Sequence, residues 1–93
     1  MFNVIVPNSV KKDIKKLDKP VISKVLSLLE NIAENPHQGI PLTGHFSPFL
    51  KLEMTVKGVH YRIAYRVNEE KVEIYVLHVG TRENFYNELK RRI

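Results

Sequence analysis

The sequence predicts one α+β domain over residues 1–93: an N-terminal strand, a helical hairpin packed on a small antiparallel sheet built as a three-strand meander, and a C-terminal helix. Three observations carry this. Residues 8 to 34 repeat their apolar side chains at helical spacing, residues 49 to 79 mostly alternate with period two, and the two kinds of segment are separated along the chain instead of interleaved.

Phe2 to Val6 is short, apolar and rich in β-formers, and Pro7 ends it, which makes a first strand. Asn8 or Ser9 is placed to cap the helix that follows. There Val10, Ile14 and Leu17 share one face, and Lys11, Lys12, Asp13, Lys15 and Lys16 take the solvated remainder. Asp18-Lys19-Pro20 restarts the helix with proline at its first position, where a missing N–H costs nothing. From Val21 to Glu34 the apolar residues cover more than half the circumference, so this helix packs on two sides, and Asn35-Pro36 stops it. Residues 35 to 48 hold three prolines and two glycines without a period. They read as a long connection pinned to the core by Ile40, Leu42 and Phe46, and a loop of that length in so small a domain suggests a role in binding.

From Phe49 to Lys57, Leu50, Leu52, Met54 and Val56 point inward while Lys51, Glu53, Thr55 and Lys57 point out. Lys57-Gly58 supplies a tight turn into Val59 to Val67, where Val59, Tyr61, Ile63, Tyr65 and Val67 share the core face. His60, Arg62 and Arg66 share the other. After the turn Asn68-Glu69-Glu70, the strand Val72 to Val79 is apolar on both faces, as a central strand is, and Arg82 to Arg92 forms the last helix. The sheet face away from the hairpin is left uncovered in this reading. It carries Lys51, Glu53, Thr55, His60, Arg62 and Arg66, with Arg82 emerging beside it.

Composition narrows the function. With 93 residues and 43% apolar content there is one core and room for one site. The absence of cysteine excludes disulfides, a thiolate nucleophile and a cysteine zinc site, and His37 and His45 have no carboxylate companions at ligand spacing, so no metal is assigned. No apolar run approaches the ~18 residues that span a bilayer, and the N-terminus lacks a signal-peptide pattern; the expected location is cytoplasmic, away from the membrane. Fifteen Lys and Arg against ten Asp and Glu give a net charge of +5, which favours encounter with polyanions. A strand face with two arginines, a histidine and no carboxylate suits such a partner. The basic residues expected to meet a polyanion are Lys51, Lys57, His60, Arg66, Lys90 and Arg91.

Two pieces, Tyr61-Arg62-Ile63-Ala64-Tyr65-Arg66-Val67 and His78-Val79-Gly80-Thr81-Arg82-Glu83-Asn84-Phe85-Tyr86, resemble the toxins of the RelE/ParE superfamily of type II toxin–antitoxin systems. The loop ending Pro41-Leu42-Thr43-Gly44 is similar to the family's segment before its second strand, and the resemblance in length and element order spans nearly the whole chain. It implies a RelE-like fold. In the RelE branch it implies a metal-independent mRNA endonuclease without cofactors, with RNA as the polyanion those basic residues meet, working in the ribosomal A site and silenced by a cognate antitoxin in a hetero-oligomer. There the substrate's 2′-OH attacks the neighbouring phosphate, leaving a 2′,3′-cyclic phosphate and a 5′-OH. Arg62 matches the arginine of the family's Tyr-Arg strand motif, Arg82 the arginine after its Gly-x motif, Tyr86 a downstream aromatic and Lys51 a strand lysine.

Glu53 stands where a well-known member has a second lysine. It is a candidate general base, or an ion-pair partner of Lys51 or Arg62; His60 and Tyr86 are the other candidate bases. His78, flanked by apolar neighbours, reads as a core histidine. Two other functions share these features: a ParE-like inhibitor of DNA gyrase without nuclease chemistry, and a non-catalytic RNA-binding module. The few exposed aromatics in the sequence argue against the last.

Overall fold

The computed structural model describes residues 1–92. The strands are β1 (Asn3–Ile5), β2 (Ile40–Pro41), β3 (Leu50–Val56), β4 (Val59–Asn68) and β5 (Glu73–Thr81); the helices are α1 (Asn8–Lys15), α2 (Lys19–Glu34) and α3 (Phe85–Arg92). They form one five-stranded sheet in the order β1-β5-β4-β3-β2. The expected meander β3-β4-β5 is its antiparallel centre. Two edges were not expected. β1 runs parallel to β5, pairing Asn3 with Glu73, and the dipeptide β2 pairs with β3 from within the long connection.

The β3–β4 register follows from its turn. Lys57 and Gly58 both take positive φ, 50° and 81°, the combination of a two-residue hairpin turn whose twist matches the flanking strands. With no slack in the turn, Glu53 falls opposite Arg62 and Thr55 opposite His60. Every side chain of the two strands is thereby assigned to a face.

On one face the hairpin of α1 and α2 buries Val10, Ile14, Val21, Val25, Leu29 and Ile32 against Met54, Ile63, Tyr65, Ile74, Val76 and Val79. Val59, expected on this face, lies at the hairpin end and is exposed. The other face is covered in its middle, contrary to the sequence reading. Phe85 and Leu89 of α3, with Leu42 and Phe49 from the connection, pack on Ala64. Alanine at position 64 leaves the helix room to approach the sheet. A bulge between Ala64 and Tyr65 of β4 and their partners lets β5 serve both cores: His78 pairs with Ala64 and Val76 with Tyr65, leaving Leu77 as the extra residue.

The connection of residues 35 to 48 is more ordered than its composition suggests, with 3₁₀ turns at Pro36–Gln38 and Gly44–Phe46 on either side of β2. Tyr65, fully buried, fixes it from below. Its hydroxyl donates to the Pro36 carbonyl at 2.8 Å and accepts from the Gly39 N–H at 2.9 Å. Leu42 is buried and Phe46 packs on the second core, but Ile40 is exposed. Neither Asn8 nor Ser9 caps α1; Pro7 holds the cap position, and no side chain bonds to it. The chain after β5 makes a 3₁₀ turn over Arg82–Asn84 before α3 begins, so the final helix is shorter than the expected Arg82 to Arg92.

Candidate active site

Where α3 leaves the sheet uncovered, four of the five candidate catalytic residues meet. β3 contributes Lys51 and Glu53, β4 contributes Arg62, and the first turn of α3 contributes Tyr86. Period-two alternation puts the first three on one face, and the register sets Glu53 across from Arg62. Glu53 Oε1 lies 3.6 Å from Arg62 Nη2 and 3.8 Å from Lys51 Nζ, so the carboxylate pairs with both cations. Lys51 Nζ donates to the Tyr86 hydroxyl at 3.3 Å.

The two cations are held unusually far from water, with side chains 14% (Arg62) and 17% (Lys51) exposed, while the Glu53 side chain is 39% exposed. Aromatic rings do the covering. The Arg62 guanidinium carbon lies 5.6 Å from the Phe85 ring centre and 5.5 Å from that of Tyr86, within cation–π range of both. Arg62 Nε is buried without a hydrogen-bond partner among the described residues. A planar fork of donors oriented by two rings is chemically suited to an oxyanion such as a carboxylate or a phosphate.

Tyr86 could equally have docked α3. Phe85 and Leu89 do that, fully buried, and Tyr86 remains 40% exposed with its hydroxyl at the Lys51 ammonium. Phe85 was missed in the sequence as a wall of the site; its adjacency to Tyr86 was the available signal. Phe46 was missed as well. Its ring centre lies 5.5 Å from that of Tyr86, which brings the long connection to the rim.

Arg82 stands apart from the cluster. It is exposed and lines a small cleft of 210 Å³ with Gly58, Val59, His60, Thr81 and Glu83. His60 shares a 3.1 Å hydrogen bond with Thr55. Gly80, directly opposite Arg62, separates cleft and cluster. A Cβ at position 80 would lie 2.7 Å from His78 Nε2, so the close-packed imidazole requires glycine there. Arg66 is on the far side of α3, in a groove with Phe49, Asn68, Tyr75, Leu77 and Arg92. Lys57 is exposed at the hairpin turn, Lys90 lines a groove with His45, Phe46, Tyr86 and Asn87, and Arg91 pairs with Glu88 one helical turn away.

His78 is buried, as expected of a core histidine, but it lies under α3, with its ring centre 5.8 Å from that of Phe85 and its Nδ1 without a hydrogen-bond partner among the described residues. Burial, and next the Arg92 charge, push its pKa below the usual imidazole value; Asp13 and Glu88 oppose them more weakly.

A mostly antiparallel sheet with a helical hairpin on one face and a short C-terminal helix on the other is the fold of the RelE toxins. A double arginine-to-alanine mutant of the E. coli RelE toxin in the free state superposes with a TM-score of 0.79 at 24% identity, covering 99% of this chain and 97% of that one. The toxin–antitoxin complex RelBE2 of Mycobacterium tuberculosis gives 0.77 at 20% identity over 87% and 98% of the two chains. The intact E. coli RelBE toxin–antitoxin complex gives 0.74 at 23% identity over 87% and 96%. No curated protein matches significantly in sequence. The sequence pattern of the ParE-like toxins of type II bacterial toxin–antitoxin systems, however, matches residues 4–90, and the chain belongs to that family.

Proposed function

We propose that this toxin is an mRNA endonuclease of the RelE kind, acting on ribosome-bound message and neutralised by a cognate antitoxin. The observation that carries the reading is the Lys51–Glu53–Arg62–Tyr86 cluster, with its two sheltered cations beside a carboxylate and a phenol hydroxyl.

With the scissile phosphate over Arg62 and Lys51, the Glu53 carboxylate takes the proton of the substrate's 2′-OH. The O2′–P bond forms as the P–O5′ bond breaks, and the 5′ oxygen leaves with a proton from the Tyr86 hydroxyl. The developing charge on the phosphoryl oxygens is met by the guanidinium and the ammonium, and Lys51, already bonded to Tyr86, stabilises the phenolate that remains. The products are a 2′,3′-cyclic phosphate and a 5′-OH. Arg82 and His60, one cleft away, are placed to hold the flanking backbone of the RNA. The antitoxin reading rests on family membership and on the toxin–antitoxin complexes among the structural neighbours.

A gyrase poison of the ParE kind shares the fold, but that activity makes no use of a carboxylate, a tyrosine hydroxyl and two cations gathered around one point. Induction of the chain without its antitoxin, with transcript 5′ ends mapped, tests the proposal. Cleaved messages bearing 5′-OH ends are expected. Intact transcripts with accumulating DNA breaks would replace the nuclease by the gyrase poison.

A further inference from the structure

The groove beside the cluster shares only Tyr86 with it. It has a volume of 470 Å³ and is lined by His45, Phe46, Tyr86, Asn87 and Lys90. Three rings stand in succession along it: His45 meets Phe46 edge-on at 5.7 Å, and Phe46 meets Tyr86 at 5.5 Å with the planes tilted by 51°. Phe46 is held in place because its own 3₁₀ turn, Gly44–Phe46, sits between buried Leu42 and buried Phe49, and the Phe49 N–H bonds back to the Phe46 carbonyl at 2.9 Å.

We infer that this groove is a nucleobase subsite: it takes the base of the nucleotide adjoining the scissile phosphate, stacked on Phe46. The inference rests on the nuclease reading of the cluster and adds its substrate contact. Tyr86 belongs to both the groove and the cluster, so a base in the groove and a phosphate on Arg62 are neighbours, as they are within one nucleotide. The volume falls within the range of small-molecule sites. The lining is aromatic and largely apolar, as a base face requires, and Lys90 and Lys51 at its borders supply charge for the backbone on either side. The Asn87 amide brings one donor and one acceptor group, enough to read a base edge. An acidic peptide would use the lysines but would leave the row of rings without a purpose, which favours RNA as the occupant. The long connection of residues 35 to 48 thereby gains its function, the presentation of Phe46.

The test uses a short RNA, intact or with an abasic residue at one position at a time. Its binding to the wild-type toxin and to Phe46→Ala is followed by fluorescence anisotropy, beside cleavage of ribosome-bound transcripts by the same proteins. Removal of one particular base is expected to weaken wild-type binding about 10-fold, the scale of a single base–aromatic stack. In Phe46→Ala the same removal should change binding by less than about 2-fold, because the stack is already gone. Phe46→Tyr, which keeps a ring, should restore most of the base dependence and controls for a misfolded loop. Equal abasic penalties in wild type and Phe46→Ala, with transcripts still cut by the wild type, would overturn the subsite and leave the nuclease standing. A wild-type protein that neither binds RNA nor cuts transcripts would overturn both.

Discussion

The Glu53 carboxylate lies directly across the β3–β4 pair from Arg62, 3.6 Å from its guanidinium, and shares its charge with Lys51 on the other side. Of the two roles weighed for Glu53 in the sequence, the ion pair is present in the resting protein, and its exposed carboxylate is the base of the proposed mechanism. Glu53→Gln preserves shape and removes both the base and the competing charge. The cleavage rate is expected to fall roughly 10²-fold or more, with RNA binding equal to or tighter than that of the wild type. Single-turnover rates measured beside binding check this, and a variant that cuts at the wild-type rate would shift the base to His60 or Tyr86.

Arg62 and Arg82 should fail in different ways. Arg62→Ala removes the donor fork over the phosphate and is expected to lower the maximal rate by roughly 10²–10³-fold. Arg82, exposed in the neighbouring cleft, is expected to act on affinity, so that Arg82→Ala raises the substrate concentration needed for half-maximal cleavage and changes the saturated rate less. Both should fold, since Phe85, Leu89 and Ala64 keep their contacts; circular dichroism and a cleavage titration suffice to see it.

Val72 offers a stability test away from the site. It has φ of 54°, a left-handed conformation that crowds a β-branched side chain, and its side chain is largely exposed. The strain is of order 1–2 kcal/mol. Val72→Asn retains a side chain that tolerates this region and is expected to stabilise the protein by about 1 kcal/mol, raising the unfolding midpoint by roughly 5 °C. The Val72 carbonyl, which accepts the Asn3 N–H at 2.9 Å, is untouched by the change.

His78 gives the stability a pH dependence of known sign. Its imidazole is held neutral in the folded protein by burial first and by the Arg92 charge next, so the unfolded chain takes up its proton more readily. The contribution is present above the ordinary value of 6.5 and is lost as pH falls from there towards the depressed folded value. One proton limits the slope to about 1.4 kcal/mol per pH unit. Urea unfolding of wild type and His78→Gln at several pH values isolates it: the stability difference between the two should move in the variant's favour as pH falls below 6.5.

The sheet face bearing the site was legible in the sequence because a two-residue turn leaves no freedom between β3 and β4. Alternation then sorted Lys51, Glu53, Thr55, His60 and Arg62 correctly. The parallel pairing of β1 with β5 and the docking of α3 on Ala64 depend on contacts between residues far apart in sequence, and neither leaves a local pattern. The same distance hid Phe46 and Phe85. Each reads locally as one more apolar residue, and only the packed chain brings both rings to Tyr86, with Phe85 also against Arg62.

The extra residue at Leu77 acts as a change of phase in β5. Below it the even-numbered Ile74 and Val76 face the helical hairpin; above it the odd-numbered Val79 does, and even-numbered His78 has been turned to the α3 side. Gly80 keeps that new parity, which is why the gap it leaves opens beside Arg62 and not into the hairpin core. Were Leu77 instead to take a ladder position of its own, unbroken alternation would carry the imidazole into the hairpin's apolar core; set aside as the extra residue, it keeps the cationic side of the sheet and its oily side from trading places.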